Sequence, residues 1–168
     1  NPLDDIPFRT LDEEHNFTGL ADGTYYYNVT VTDKVGLEGN TETRNITLDT
    51  TGPAVSYGSG SLEDASFHNR DNITIYVDIG EDNFELIIYE LFDSDKEFFD
   101  EEFSLVPITN FTFTGSILID GTYYYNVTVI DKVGLEGSTE TRSITLDTIQ
   151  PEVDYTIDTE LDDTYLSQ

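Results

Sequence analysis

Six Asn-x-Thr triplets carry the most definite chemistry in this sequence. Their asparagines are Asn16, Asn28, Asn45, Asn72, Asn110 and Asn126. An asparagine in this triplet is the acceptor for an N-linked glycan, and a bulky glycan needs a solvent-facing site. An apolar residue separates Asn from Thr in every triplet, so both polar side chains face the same side of a strand. The triplets therefore predict N-linked glycans at several sites. The alternative is that they are ordinary solvent-facing strand residues.

Four aspartates recur as two equivalent pairs and indicate a candidate calcium site. Asp33 and Asp131 follow a long predicted strand, and Asp49 and Asp147 follow a shorter one. Ca²⁺ prefers clusters of carboxylate and other oxygen ligands. Four further acids could complete such a cluster if they lie nearby: Glu38, Glu81, Asp82 and Glu136. Aspartates at such positions also serve as turn and cap residues, so both roles remain open.

Side chains suited to catalysis are scarce. The two histidines, His15 and His68, fit no metal-ligand or catalytic-triad spacing. The sequence has no cysteine nucleophile and no glycine-rich phosphate-binding loop. Carboxylates are so abundant that any acid–base pair proposed for glycoside hydrolysis would be arbitrary. We therefore expect a protein that is not an enzyme.

The charge balance excludes several classes of partner. The 168 residues include 35 acidic and 7 basic ones, which gives a net charge of -28. Nucleic-acid binding needs a basic surface, and an anionic membrane would repel the chain. No apolar run is long enough to span a bilayer, so we expect no membrane insertion in this segment. Because cysteine is absent, stability must come from core packing, neighbouring domains, metal ions or glycans rather than from disulfides.

An internal repeat organises the chain. Residues 22–57 and 120–155 are identical at 29 of 36 positions, at a constant offset of 98 residues. This period matches one immunoglobulin-like sandwich of about 100 residues. We therefore predict that 1–51 is the C-terminal part of one repeat and that 52–150 is a complete repeat. Residues 151–168 are predicted to be the first strand of a next repeat, or a donor strand for a neighbouring subunit, with a strand-addition face formed by Val153, Tyr155 and Ile157.

The elements that carry these residues are predicted from two-residue alternation of apolar and polar side chains, which is typical of half-buried strands. The alternation covers 24–32, 44–49 and 72–79, and 84–92 is a more continuous apolar strand. The acidic stretch 93–102 is predicted to be a loop or a short helical turn. Tyr25 and Tyr123 stand where a tyrosine corner can form. The predicted fold is all-β, with tandem immunoglobulin-like antiparallel β-sandwiches.

The segment DGTYYYNVTVTDKVGLEG, followed by TRNITLDT and a proline, resembles the bacterial and archaeal Ig-like (fibronectin-III/Bap-like) tandem repeats of large surface proteins. The matching residues of the first copy are Gly23, Thr24, Tyr25, Val29, Val31, Asp33, Gly36, Asp49, Thr50, Thr51 and Pro53. Those of the second copy are Gly121, Thr122, Tyr123, Val127, Val129, Asp131, Gly134, Asp147, Thr148 and Pro151. The chain departs from the pattern at Leu37 and Leu135, and at Ile149-Gln150. The resemblance implies a β-sandwich and an extracellular location, and it specifies no ligand.

These features favour a structural repeat module of an N-glycosylated surface filament, stalk or S-layer-type protein. Its expected partners are copies of itself, joined in a tandem array or by strand addition between subunits. Calcium and N-linked glycans are the expected bound groups, and such a glycan coat suits an archaeal or eukaryotic cell surface. The alternative is an adhesin repeat that mediates attachment to other cells or to a host. A third possibility is an accessory module of a secreted enzyme.

Overall fold

The computed structural model describes residues 16–114 and 118–154. The chain divides into two compact units, Asn1–Thr51 (unit 1) and Gly52–Gln168 (unit 2). All regular secondary structure in the described residues consists of β-strands.

The described part of unit 1, residues 16–51, contains two short antiparallel pairs. Its strands are β1 (Gly23–Tyr27), β2 (Thr30–Thr32), β3 (Glu38–Asn40) and β4 (Arg44–Leu48). Strand β1 pairs with β4, and β2 pairs with β3. The predicted strand 24–32 is therefore interrupted at Asn28 and Val29. The Val29 backbone N–H donates to the Thr41 hydroxyl at 2.9 Å. Val127 makes the same bond to Thr139 at 3.0 Å within a continuous strand of unit 2, Gly121–Asp131. The difference is that the strand Phe84–Phe92 pairs with that strand at Asn126 and Val127, whereas no strand takes that position in the described part of unit 1.

Unit 2, over residues 52–114 and 118–154, is a sandwich of two sheets. Its strands are β5 (Ala54–Tyr57), β6 (Ser66–His68), β7 (Asn72–Gly80), β8 (Phe84–Phe92), β9 (Phe98–Ser104), β10 (Asn110–Thr114), β11 (Gly121–Asp131), β12 (Glu136–Ser138) and β13 (Arg142–Leu146). One sheet has the order β10-β7-β5. The other has the order β6-β13-β11-β8-β9, with β12 also paired to β11. The neighbours are antiparallel except for β6 and β13, which run parallel.

This strand order is that of an immunoglobulin-like sandwich, in which successive strands cross between two facing antiparallel sheets. The core lies between the sheets. Ile73, Ile75 and Val77 of β7 are buried, as are Val127 and Val129 of β11, and alternate residues on each strand face outward. The prediction of an all-β sandwich is confirmed in unit 2, whereas the tandem arrangement stays a prediction.

Tyrosine corners are present in both units, as the sequence predicts. The Tyr123 hydroxyl donates to the Ile119 carbonyl at 3.0 Å. In unit 1, the Tyr25 hydroxyl donates to the Ala21 carbonyl at 2.8 Å. In each unit this bond joins the first residues of a strand, β11 or β1, to the segment just before that strand.

The prediction of a loop or helical turn over 93–102 is wrong for its second half. Asp93 does organise a turn, because its Oδ1 atom accepts the N–H groups of Asp95 and Glu97. From Phe98 the chain forms β9, which pairs with β8. Residues 98–104 form a strand in spite of their acidic composition, because their backbone pairs with the apolar strand β8. The outward carboxylates on this edge strand protect it against further strand pairing.

Candidate functional site

The six sequon asparagines differ in exposure. Four of them are exposed: Asn16, Asn28, Asn45 and Asn110. Asn72 and Asn126 are half-buried. Asn126 lies in the centre of β11 beside Glu90 of β8, and its buried Oδ1 atom has no hydrogen-bond partner among the described residues. Its equivalent Asn28 is more open because no strand occupies that edge in the described part of unit 1.

Asp33 and Asp131 hold identical turns. In unit 2, Asp131 Oδ1 accepts the N–H groups of Val133 and Leu135 at 2.8 and 2.9 Å. In unit 1, Asp33 Oδ1 accepts two N–H groups in the same way, both at 2.9 Å. Each turn also needs a glycine three residues after its aspartate: Gly134 has φ +87° and Gly36 has φ +85°, a conformation that side chains disfavour. These aspartates therefore act as turn residues, whatever else they bind.

Two carboxylates of unit 2, Glu81 and Asp131, lie close together. Glu81 Oε1 accepts the Asn83 N–H at 2.5 Å. Asp131 is only 2% exposed, and its Oδ2 atom has no hydrogen-bond partner among the described residues. An oxygen of Glu81 lies within 4.8 Å of an oxygen of Asp131. A buried, unpaired carboxylate oxygen is costly, and a cation between the two carboxylates would satisfy it. Asp147 and Asp49 each accept the backbone N–H group two residues further on, at 3.1 Å.

Two other aspartates, Asp22 and Asp120, accept hydrogen bonds from threonines near the end of each repeat. The sequence alone did not identify them. Asp120 Oδ1 accepts the backbone N–H and the hydroxyl of Thr148 at 3.0 and 2.9 Å. In unit 1 the Asp22 carboxylate accepts the hydroxyls of Thr50 and Thr51. These bonds hold the pKa of Asp22 below its usual value. The signal in the sequence is that the aspartate of an Asp-Gly dipeptide precedes the threonine of an Asp-Thr dipeptide by 28 residues in both copies.

Tyr57 joins the first strand of the sandwich to its last hairpin. Its single hydroxyl proton is shared between two carbonyl oxygens, that of Tyr125 at 3.1 Å and that of Glu140 at 2.9 Å. Its ring packs edge-on against the Tyr125 ring, and the Arg142 guanidinium lies 4.0 Å from its centroid. Burial raises the pKa of Tyr57, so the phenol stays a donor at neutral pH.

A glycine lies beside this tyrosine contact. The Pro53 carbonyl approaches Gly137 of β12 so closely that a Cβ built on the glycine would lie 1.9 Å from the Pro53 oxygen. Gly137 does not have a positive φ. Its lack of a side chain therefore serves the close approach of the Pro53 backbone rather than a turn.

Comparison with known proteins gives only distant backbone similarity. No protein-family model and no curated protein sequence matches the chain. The fibronectin(III)-like modules of CbhA from Clostridium thermocellum align with a TM-score of 0.41 and 11% identity, over 83% of this chain and 72% of theirs. Dimeric latent PorU from Porphyromonas gingivalis aligns with a TM-score of 0.43 and 13% identity, over 76% of this chain and 12% of PorU. Because both TM-scores lie below 0.5, the fold assignment depends on the strand order and core of unit 2.

Unit 1 presents an uncovered version of the same hairpin. Val31 is 67% exposed and Ile46 is 49% exposed, whereas their equivalents Val129 and Ile144 are fully buried. Gly39, the equivalent of Gly137, has no atom within 4 Å of a built Cβ. The strand-addition residue Val153 is also exposed, and Tyr155 and Ile157 lie outside the described residues, as does His15. The described part of the chain contains no helical segment with the length and apolar character of a membrane span.

Proposed function

We propose that this chain is a structural repeat module of an extracellular filament, stalk or surface layer, that it carries N-linked glycans, and that its subunits join by strand addition. One observation carries the proposal. Two nearly identical segments present sequon asparagines on one face of their strands and apolar residues on the other, and in unit 1 that apolar face is uncovered. Such a face needs a partner, and a glycan-bearing outer face keeps the assembled surface solvated.

The glycans are tested by mass spectrometry on protein from its native source. We expect an intact mass above 18.9 kDa for this segment, and peptide mapping should find glycans first at Asn16, Asn28, Asn45 and Asn110. The half-buried Asn126 should be the least occupied, because a glycan there would have to displace the β8 neighbour Glu90. A mass equal to that of the polypeptide would exclude glycosylation.

Assembly is tested by electron microscopy of the native material. Filaments or layers with density for a strand inserted between subunits are expected. Discrete monomers, with each sandwich complete in itself, would contradict assembly by strand addition. The adhesin alternative predicts instead a localised, non-repeated surface that binds a ligand.

We propose in addition that Glu81 and Asp131 bind Ca²⁺ and stiffen the end of the sandwich. The support is the buried, unpaired Asp131 Oδ2 and the second carboxylate within 4.8 Å. Ca²⁺ should raise the melting temperature relative to chelator, and Glu81→Gln should remove that increase. Glu85→Gln, an exposed position of β8, is the matched control. Equal melting temperatures with calcium and with chelator would exclude the site.

A further inference from the structure

The first segment of the sandwich docks onto the last hairpin through a short set of side chains. Besides Pro53 and Tyr57, Leu62 and Asp64 take part. The Leu62 carbonyl accepts the Tyr125 hydroxyl at 3.0 Å and an Arg142 N–H at 3.1 Å. Asp64 Oδ1 accepts the Ser143 backbone N–H at 2.7 Å. Val55 packs against the core between them.

The surface that receives this segment recurs in unit 1. Tyr27, Gly39, Glu42 and Arg44 are the equivalents of Tyr125, Gly137, Glu140 and Arg142, each 98 residues earlier. We call these four residues the acceptor groove. All four are exposed, and the space above Gly39 is open. Only the position of Ser143 differs among the bonded residues, because unit 1 has Asn45 there.

The docking residues recur at the other end of the sequence. Pro151, Val153 and Tyr155 stand 98 residues after Pro53, Val55 and Tyr57. Leu161 and Asp163 stand 99 residues after Leu62 and Asp64, so the offset is one residue longer there. We call residues 151–163 the tail segment. Its described start, through Asp154, is exposed, and Val153 is 89% exposed. Every residue type that makes the observed docking contacts is therefore present a second time.

We propose that the tail segment of one copy docks into the acceptor groove of a second copy. This inference rests on the proposed assembly and names the two surfaces that carry it. In the docked state we expect the Tyr155 hydroxyl to share its proton between the carbonyls of Tyr27 and Glu42, as Tyr57 does with Tyr125 and Glu140. We expect its ring to pack on the Arg44 guanidinium, as the Tyr57 ring packs on Arg142. The Pro151 carbonyl approaches Gly39. Because the two surfaces differ, the contact is head-to-tail and propagates into an open chain of subunits.

Electrostatics opposes this contact at low salt. Residues 152–168 contain six carboxylates and no basic residue, and the whole chain carries a net charge of -28. Arg44 is the one basic residue of the acceptor groove, and it already pairs with Glu42 at 2.7 Å. Screening lengths are about 8 Å at physiological salt and about 3 Å at 1 M. The association should therefore strengthen as sodium chloride rises, in contrast to an interface held by ion pairs.

The test is sedimentation velocity of the full chain over a range of concentrations at high salt. We expect concentration-dependent oligomers for the natural sequence. Gly39→Val fills the open space above the acceptor groove, and its Cβ meets no atom of the chain within 4 Å. Tyr155→Phe removes the hydroxyl that the two carbonyls would share and should weaken association about tenfold. Tyr165→Phe, outside the docking set, is the matched control and should associate normally.

Mixing the two variants gives the decisive result. The Gly39→Val chain keeps an intact tail segment, and the Tyr155→Phe chain keeps an intact acceptor groove. A head-to-tail contact therefore predicts that the mixture forms dimers but few longer oligomers. Monomers at all concentrations for the natural chain would overturn the proposal, as would association that neither variant changes. In the second case another surface or occupant joins the subunits, and the glycan and microscopy tests of the proposed function still stand.

Discussion

Gly137→Ala tests the close approach of β5 to β12. A Cβ on Gly137 would lie 1.9 Å from the Pro53 carbonyl oxygen and 2.9 Å from its carbon, so one of the two backbones must shift by about 1 Å or more to reach normal contact. Neither can move alone, because β12 is paired with β11 and β5 is paired with β7. Overpacking of this kind costs about 1–3 kcal/mol. For a sandwich of this size the melting temperature should fall by about 5–20 °C.

Gly39→Ala is the matched control for this substitution. It makes the same change at the same position of the same hairpin, and its Cβ meets nothing within 4 Å. Differential scanning calorimetry on both variants should show a large loss for Gly137→Ala in the unfolding of unit 2 and almost none for Gly39→Ala. Equal shifts, or a Gly137→Ala protein within about 2 °C of the natural chain, would refute the packing argument.

Three further substitutions probe the sandwich. Hydrogen bonds from Ser143 hold the pKa of Asp64 below its ordinary 3.8, so its stabilising contribution is full at neutral pH and is lost as pH falls through that lowered pKa. Asp64→Asn should flatten this acid loss in thermal melts. Burial, together with the Glu101 carboxylate opposite, raises the pKa of Glu90, so its charged form destabilises the fold at pH 7. Glu90→Gln should therefore raise the melting temperature at pH 7. This increase should vanish at low pH, where the natural Glu90 is protonated. Tyr123→Phe should cost about 1 kcal/mol in chemical unfolding, because its buried corner bond is lost.

The parts of the fold that depend on local pattern could be predicted from the sequence. Alternation over 72–79 predicts the inward face of β7, and Ile73, Ile75 and Val77 are indeed buried there. The sequence predicts the tyrosine corner because Tyr25 and Tyr123 stand just before the main run of the penultimate strand, and the Tyr123 hydroxyl does donate to the Ile119 carbonyl. These features need only the residue type and the strand period.

Features that depend on distant backbone could not be predicted. Tyr57 donates to carbonyl oxygens 68 and 83 residues away, and no side-chain pattern marks a carbonyl as an acceptor. Gly137 looks like any strand glycine until Pro53 is placed against it. The sequence does not predict strand β9, because its acidic residues resemble those of a loop. The strand forms because its backbone pairs with the neighbouring strand β8.

Unit 1 shows that the burial of a side chain depends on the strands packed around it as much as on the local sequence. Residues 24–31 and 122–129 are identical, yet Val31 is exposed and Val129 is buried. Amide hydrogen exchange should therefore be faster in β1 and β2 than in β11, because little buried surface holds the unit 1 strands closed. Peptides that extend past Thr32 or Ile130 differ in mass and distinguish the two copies. When the chain associates, protection in unit 1 should rise toward that of β11, since covering each large aliphatic side chain adds about 1.5–3 kcal/mol. Equal protection of the two copies in the dilute monomer would show that the unit 1 hairpin does not need a partner.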